Sequence, residues 1–214
     1  MTNHIGRISI PNMDISTDDG FMKLIDAVGD EVDAAAKRCM SARCDYMAMG
    51  MSAPTFFGGY QKCVRKRENM EKLCGVPVSS GSFACEAALN LLGAKTIAIL
   101  SPYQAIADAE VTKFFTDAGF TVARLRGLRC PTPVAIAEVN AAEVRKHLTE
   151  LDGPDVDALV QVGTNLSATS LAAVLEKELG KPVIAINTAT YWHAMRALGI
   201  KDQFEGFGSL FSQH

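Results

Sequence analysis

Two short turns in this chain carry similar chemistry. Gly50-Met51-Ser52 and Gly163-Thr164-Asn165 each place a glycine ahead of residues with hydroxyl or amide side chains. A glycine lets backbone approach a bound group closely, and N–H groups at the start of a following helix suit an anion. Further polar residues stand in comparable places: Pro11-Asn12-Met13-Asp14, Ser79-Ser80-Gly81-Ser82, Ser101-Pro102-Tyr103 and Asn187-Thr188. The set is rich in hydroxyls and amides and poor in Lys and Arg, which fits a small carboxylate better than a nucleotide. Neither G-x-G-x-x-G nor G-x-x-x-x-G-K-[ST] occurs, which argues against a dinucleotide or Walker site. There is no G-x-S-x-G motif, and no His, Cys or Asp spacing that suggests a metal site.

The elements that must hold these turns repeat. An aspartate, an apolar run and a glycine occur at 45–50 and again at 157–163. Each is followed by a helical stretch and then by Gly75-Val76-Pro77-Val78 or Gly180-Lys181-Pro182-Val183. After those come Ala88-Leu89-Asn90-Leu91-Leu92-Gly93 and Met195-Arg196-Ala197-Leu198-Gly199. Apolar patterning predicts strands at 6–10, 46–49, 76–80, 96–100, 121–125, 156–162 and 183–186, with 46–49 reading as a central parallel strand. Helices are predicted at 18–28, 57–73, 83–92, 107–118, 141–151, 170–179 and 191–198. Residues 127–133 read as a loop with two prolines. Alternating strands and helices imply an α/β fold with parallel sheets, and the repeat implies two pseudo-symmetric flavodoxin-like (Rossmann-like) lobes. The expected division is 1–94 with 188–214 in the first lobe and 95–187 in the second, with one site in the cleft between them. A lone Gly50 or Gly163 also reads as a tight strand-to-helix turn; the matched pair is what favours a site.

With 48% hydrophobic and 21% charged residues, the chain can bury a proper core. A net charge of -3 and the lack of a basic stripe with aromatics argue against nucleic acid. The densest basic stretch, Lys62, Arg65, Lys66 and Arg67, reads as a solvated helix face. The N-terminus has no apolar leader and no run is long enough to span a bilayer, so a cytoplasmic protein is expected. The six cysteines form no C-x-x-C pair and are expected to be reduced thiols.

These residues resemble the aspartate/glutamate racemase superfamily, and within it the arylmalonate decarboxylase and maleate isomerase branch. The resemblance spans almost the whole chain. It is carried by Met49-Gly50-Met51-Ser52 with Thr55-Phe56-Phe57-Gly58, and by Leu91-Leu92-Gly93-Ala94-Lys95-Thr96-Ile97-Ala98 with Ser101-Pro102-Tyr103. Leu179-Gly180-Lys181-Pro182-Val183, Ala197-Leu198-Gly199 and Phe207-Gly208-Ser209-Leu210-Phe211 complete it.

The resemblance implies a cofactor-independent isomerase, racemase or decarboxylase-like lyase acting next to a carboxylate. It implies that Ser52, Tyr103 and the N–H groups of Met51, Ser52 and Thr164 hold the carboxylate and stabilise an enediolate. Pro11, Asn12, Gly50, Gly163, Asn165 and Thr188 are further expected to line the substrate. The resemblance also implies a homodimer. Racemases and maleate isomerases of this superfamily carry one catalytic cysteine at each Gly turn, and here those positions fall on Gly50 and Gly163. Two other residues then come forward as proton carriers. Asp14 is a partner for a substrate ammonium, a base if burial raises its pKa, or else a turn residue. Cys85 is a thiol activated by a helix N-terminus, or else a buried space-filler. His193 reads as a partly exposed helix residue. A relative that binds small carboxylates without turning them over is the alternative.

Overall fold

The computed structural model describes residues 1–214. Helix α1 (Asp18–Met40) starts where Thr17 Oγ1 accepts a hydrogen bond from the Gly20 N–H at 3.1 Å. Asp18 and Asp19 in its first turn and Lys37 and Arg38 in its last complement the helix dipole. Phe21, Leu24 and Val28, three and four residues apart, form its buried stripe.

The chain then builds two parallel sheets. In the first, β1 (Met47–Met49) pairs with β2 (Val78–Ser80). Between them come a 3-10 turn (Ala53–Thr55) and α2 (Tyr60–Cys74), and α3 (Gly81–Leu91) leaves β2 with no loop. The second sheet runs in the order β4-β3-β5-β6, with β3 at Thr96–Ser101, β4 at Thr121–Gly127, β5 at Ala158–Gln161 and β6 at Val183–Ala185. Its connections are α4 (Ala105–Asp117), α5 (Pro133–Glu138), α6 (Ala141–Leu151) and α7 (Thr169–Leu179). Helix α8 (Ile186–Ala197) crosses back to the first sheet and α9 (Ser209–Ser212) follows. Strand β3 sits between β4 and β5, and Ile97, Ala98, Ile99 and Leu100 are all 0% exposed. A strand covered on both faces needs such an unbroken apolar run, and each buried Ile or Leu contributes about 1.5–3 kcal/mol.

The repeat is visible atom by atom. Met47 N–H donates to Pro77 O at 3.0 Å, and Leu159 N–H donates to Pro182 O at 2.9 Å. Helix α2 closes on Gly75 (φ 70°), whose N–H reaches Glu71 O; α7 closes on Gly180 (φ 66°), whose N–H reaches Glu176 O. The same two glutamates then cap the next strand: Glu71 Oε1 accepts from Val78 N–H and Glu176 Oε2 from Val183 N–H, both at 3.4 Å. Helices α3 and α8, which follow β2 and β6, pack on each other between the two sheets. They meet at Gly81 and Ile186, where a Cβ on Gly81 would stand 2.7 Å from Ile186 Cδ1.

Four expectations are corrected. Residues 6–10 form no strand: the segment lies on α1 instead, where Arg38 donates to Arg7 O at 3.0 Å and Gly6 approaches Cys39. Consequently β1 is an edge strand and Ala48 is exposed, not central and buried. The loop expected at 127–133 gives way earlier, since β4 runs to Gly127 and Pro133 already opens α5, where Thr132 Oγ1 caps Ala135 N–H and proline takes the first helical position. Arg67 is not a solvated cation; its guanidinium lies 4.5 Å over the Phe83 ring. No helix is long and apolar enough to cross a membrane.

Candidate active site between the two sheets

Ser52 follows β1 and opens the 3-10 turn, where Thr55 Oγ1 donates to Ser52 O at 2.6 Å and fixes the turn. Tyr103 follows β3, and Thr164 follows β5. These three meet. The Ser52 and Tyr103 hydroxyl oxygens are 2.8 Å apart, and Thr164 N–H donates to Ser52 Oγ at 3.1 Å. Ser52 is 1% exposed and Tyr103 is 4% exposed. Burial pushes the Tyr103 phenol far above its ordinary value, so it stays protonated and can donate a hydrogen bond. The cluster offers two hydroxyls and a backbone N–H in a dry place, which is what a carboxylate or an enediolate oxygen requires.

The two glycines differ. Gly163 has φ 98°, and a Cβ there would lie 2.5 Å from Pro102 Cγ and 2.7 Å from Pro102 Cδ. Gly50 is exposed, has no positive φ and faces open space. Only the second turn therefore demands a glycine.

The other expected residues scatter. Asn165 is exposed and donates from Nδ2 to Pro133 O at 3.1 Å, so its amide is already engaged. Thr188 is not in a loop but in the first turn of α8, because the helix starts straight after β6. Its Oγ1 is buried without a hydrogen-bond partner, and its neighbour Asn187 donates to Thr164 O at 2.9 Å. Helix α8 is thus tied to the Thr164 turn, with a free hydroxyl beside it. Met51 is half-buried and packs on the core. Pro11 and Asn12 are exposed, and Asn12 Oδ1 accepts from Val134 N–H at 3.2 Å.

Neither expected proton carrier has the environment it needs. Asp14 is exposed and accepts from Ser16 N–H at 2.8 Å, and its hydrogen bonds with Ser16 hold its carboxyl below the usual range. The raised pKa that a base would need is absent, because the group is solvated and not buried. Cys85 is 0% exposed inside α3, and burial alone drives its thiol far above the ordinary value. It fills space under the site. His193 is half-buried, with Nδ1 2.7 Å from Ser79 Oγ.

Of the residues that brace Tyr103, the sequence pointed to Ser101 alone. Ser101 Oγ accepts from Tyr103 N–H at 2.9 Å, and Arg129 Nη1 donates to Tyr103 O at 2.6 Å. Gln104 Nε2 donates to Cys130 O, and Cys130 N–H donates to Pro102 O, both at 3.1 Å. The signal for Ser101 was its place at a strand end; for Arg129 there was none.

Two cavities lie elsewhere in the molecule. One of about 1220 Å³ opens between α1 and α2, and one of about 910 Å³ lies between the N-terminal segment, β1 and α8. Ser52, Tyr103 and Thr164 line neither. In this closed arrangement the three groups satisfy one another.

The family model described as arylmalonate decarboxylase matches residues 12–211. A maleate isomerase of Pseudomonas putida is 30% identical over 205 residues, covering 94% of this chain and 76% of the relative. An arylmalonate decarboxylase of Bordetella bronchiseptica is 22% identical over 200 residues, covering 92% and 82%. Among solved structures, the fold matches a Nocardia farcinica maleate cis-trans isomerase, a cysteine-to-serine mutant holding a covalently bound succinylcysteine intermediate. That match has a TM-score of 0.86 at 21% identity, covering 94% of this chain and 83% of the other. A model match over nearly the full length, with a relative at this identity, shows that the chain belongs to the arylmalonate decarboxylase family.

Proposed function

We propose that this protein is a cofactor-independent enzyme that breaks a bond on the carbon next to a carboxylate of a small (di)carboxylic or amino acid. The reading places the site in the cleft between a lobe of residues 1–94 with 188–214 and a lobe of residues 95–187. The observation that carries it is the meeting of Ser52, Tyr103 and the Thr164 N–H, which come from the ends of β1, β3 and β5.

In the proposed reaction a substrate carboxylate displaces the mutual hydrogen bonds of this cluster. When a C–H or C–CO₂ bond on the adjacent carbon breaks, its electron pair moves into the retained carboxylate. The resulting enediolate carries its charge on oxygens facing Tyr103 OH, Ser52 OH and Thr164 N–H. The CO₂ departs, or the proton passes to a water molecule, and a proton from solvent later returns to carbon. Deprotonation or decarboxylation fits better than thiol addition to a double bond. Residues 50 and 163 are glycines and Cys85 is wholly buried, so no thiol is presented to the cluster by these positions.

A second reading is a non-catalytic binder of small carboxylates. It is favoured by the absence of a base with a raised pKa at Asp14 and by the self-satisfied state of the cluster. Proton NMR in D₂O separates the two, with maleate, an arylmalonate, aspartate, glutamate, a hydantoin and a cyclic amidine acid as substrates. Exchange at the α-carbon, isomer formation or CO₂ release supports the enzyme. Line broadening of one compound without turnover supports the binder.

A further inference from the structure

We propose that Arg129, held by Asp108, is a positioning residue that aims the Tyr103 hydroxyl at Ser52 and the Thr164 N–H. Its purpose rests on the carboxylate reading above, but its geometry does not. Arg129 Nη1 donates both to Tyr103 O, at 2.6 Å, and to Asp108 Oδ2. The acceptors belong to the loop after β3 and to α4, while the donor belongs to the loop after β4. One guanidinium therefore ties three segments together. Tyr103 is consequently held at both backbone polar groups, its N–H by Ser101 Oγ and its carbonyl by Arg129. With its carbonyl and amide held and its ring edge-on to Phe21 at 5.5 Å, the phenol points at Ser52 Oγ, 2.8 Å away.

Two features oppose a simpler account in which Arg129 only glues a loop. Arg129 sits at φ 57°, a left-handed conformation that is strained for a non-glycine residue. Asp108 is a carboxylate buried to 6% exposure, whose carboxyl is pushed up by burial and pulled back by Ser101 and Arg129. Arg129 itself is exposed, and a pair open to solvent on one side contributes little stability. The backbone also makes room for it: a Cβ on Gly127 would collide with both Arg129 Nη1 and Asp108 Oδ2. Strain, a buried carboxylate and a cleared space all converge on the contact that holds the Tyr103 carbonyl. Arg suits this role because its charge is permanent and its planar head is pre-organised, so less freedom is lost per hydrogen bond formed.

The test labels tyrosine rings with ¹³C and amides with ¹⁵N, and assigns Tyr103 by its loss in Tyr103→Phe. Spectra are recorded first without ligand for Arg129→Gln, Arg129→Lys, Asp108→Asn and a control, Arg124→Gln. Arg124 pairs with Asp155 at the protein surface, away from Tyr103. The expected result is that Arg129→Gln and Asp108→Asn move the Tyr103 ring and Thr164 amide signals, that Arg129→Lys moves them less than Arg129→Gln, and that the control leaves them in place. Malonate affinity, read on the Thr164 amide, is expected to fall about tenfold in Arg129→Gln. Unmoved Tyr103 and Thr164 signals in a folded Arg129→Gln or Asp108→Asn protein overturn the proposal, whatever happens to the melting temperature. If malonate binds none of the proteins, the carboxylate reading fails while the ligand-free spectra still decide the positioning role.

Discussion

Pro102 stands against Gly163 so closely that no side chain fits between them: a Cβ on residue 163 would lie 2.5 Å from Pro102 Cγ. The proline ring cannot swing aside as a long side chain could. The contact presses the turn after β5 against the turn after β3, which brings Thr164 N–H and Tyr103 to the same serine. Gly163→Ala is expected to destabilise the protein by about 2–5 kcal/mol, from an unfavourable φ and overpacking together. Gly50→Ala, where nothing lies within 4 Å, is expected to change stability by less than about 1 kcal/mol. Urea unfolding of both variants checks this. Equal losses at the two glycines contradict the asymmetry.

Cys85 should be chemically silent. It is wholly buried, and burial raises its thiol pKa. Iodoacetamide at neutral pH is expected to leave Cys85 unlabelled in the folded protein and to modify it after denaturation. Cys63, pushed up to about 11 by burial, should behave likewise. Cys85→Ala is expected to lower stability by about 1–2 kcal/mol through the space left behind. It should leave substrate turnover or malonate binding unchanged. Loss of turnover in a stably folded Cys85→Ala protein returns the thiol to the mechanism.

Asp157 links the two central strands of the second sheet, β3 and β5, to pH. Its Oδ2 accepts from Lys95 N–H at 2.9 Å and Thr96 N–H at 2.8 Å, just ahead of β3. These bonds hold its carboxyl below the ordinary value of 3.8, the Thr96 bond most of all. A carboxyl lowered in the folded state adds stability above its unfolded pKa, and that contribution is lost as pH falls through the folded value. The gap in melting temperature between the native protein and Asp157→Ala is therefore expected to be full near neutral pH. It should start to close below pH 3.8 and vanish in stronger acid. A gap that is constant through that range contradicts the assignment.

Much of the architecture is legible in the residues because it depends on local period. The helical spacing of Phe21, Leu24 and Val28 and the continuous apolar run at Ile97–Leu100 each allow one reading. The paired signals Gly75-Val76-Pro77 and Gly180-Lys181-Pro182 likewise expose the repeat. Residues 6–10 fail for the opposite reason: their alternation is a strand's, but a strand needs a partner, and this segment takes α1 instead of β1. The start of α8 is hidden because β6 runs into it with no turn residue between them. At the site, Ser52, Tyr103 and Thr164 are recognisable as polar residues at strand ends. The burial of Cys85 and the exposure of Asp14 depend on packing that no local pattern reports. The Arg129 brace is invisible for a further reason, since it needs a left-handed loop residue to meet a helix twenty-one positions away.

The central claim is that Ser52, Tyr103 and Thr164 form a carboxylate cradle, and a malonate titration of ¹⁵N-labelled native protein and Tyr103→Phe tests it most directly. In the native protein the Thr164 amide is expected to shift progressively and saturate, as its N–H passes from Ser52 Oγ to the ligand. In Tyr103→Phe the same shift should appear at about tenfold higher malonate, because one donor is missing. The melting temperature should drop by only about 2–4 °C, the effect of one lost hydrogen bond. A Thr164 amide that does not respond to malonate, or equal affinity in the two proteins, contradicts the cradle.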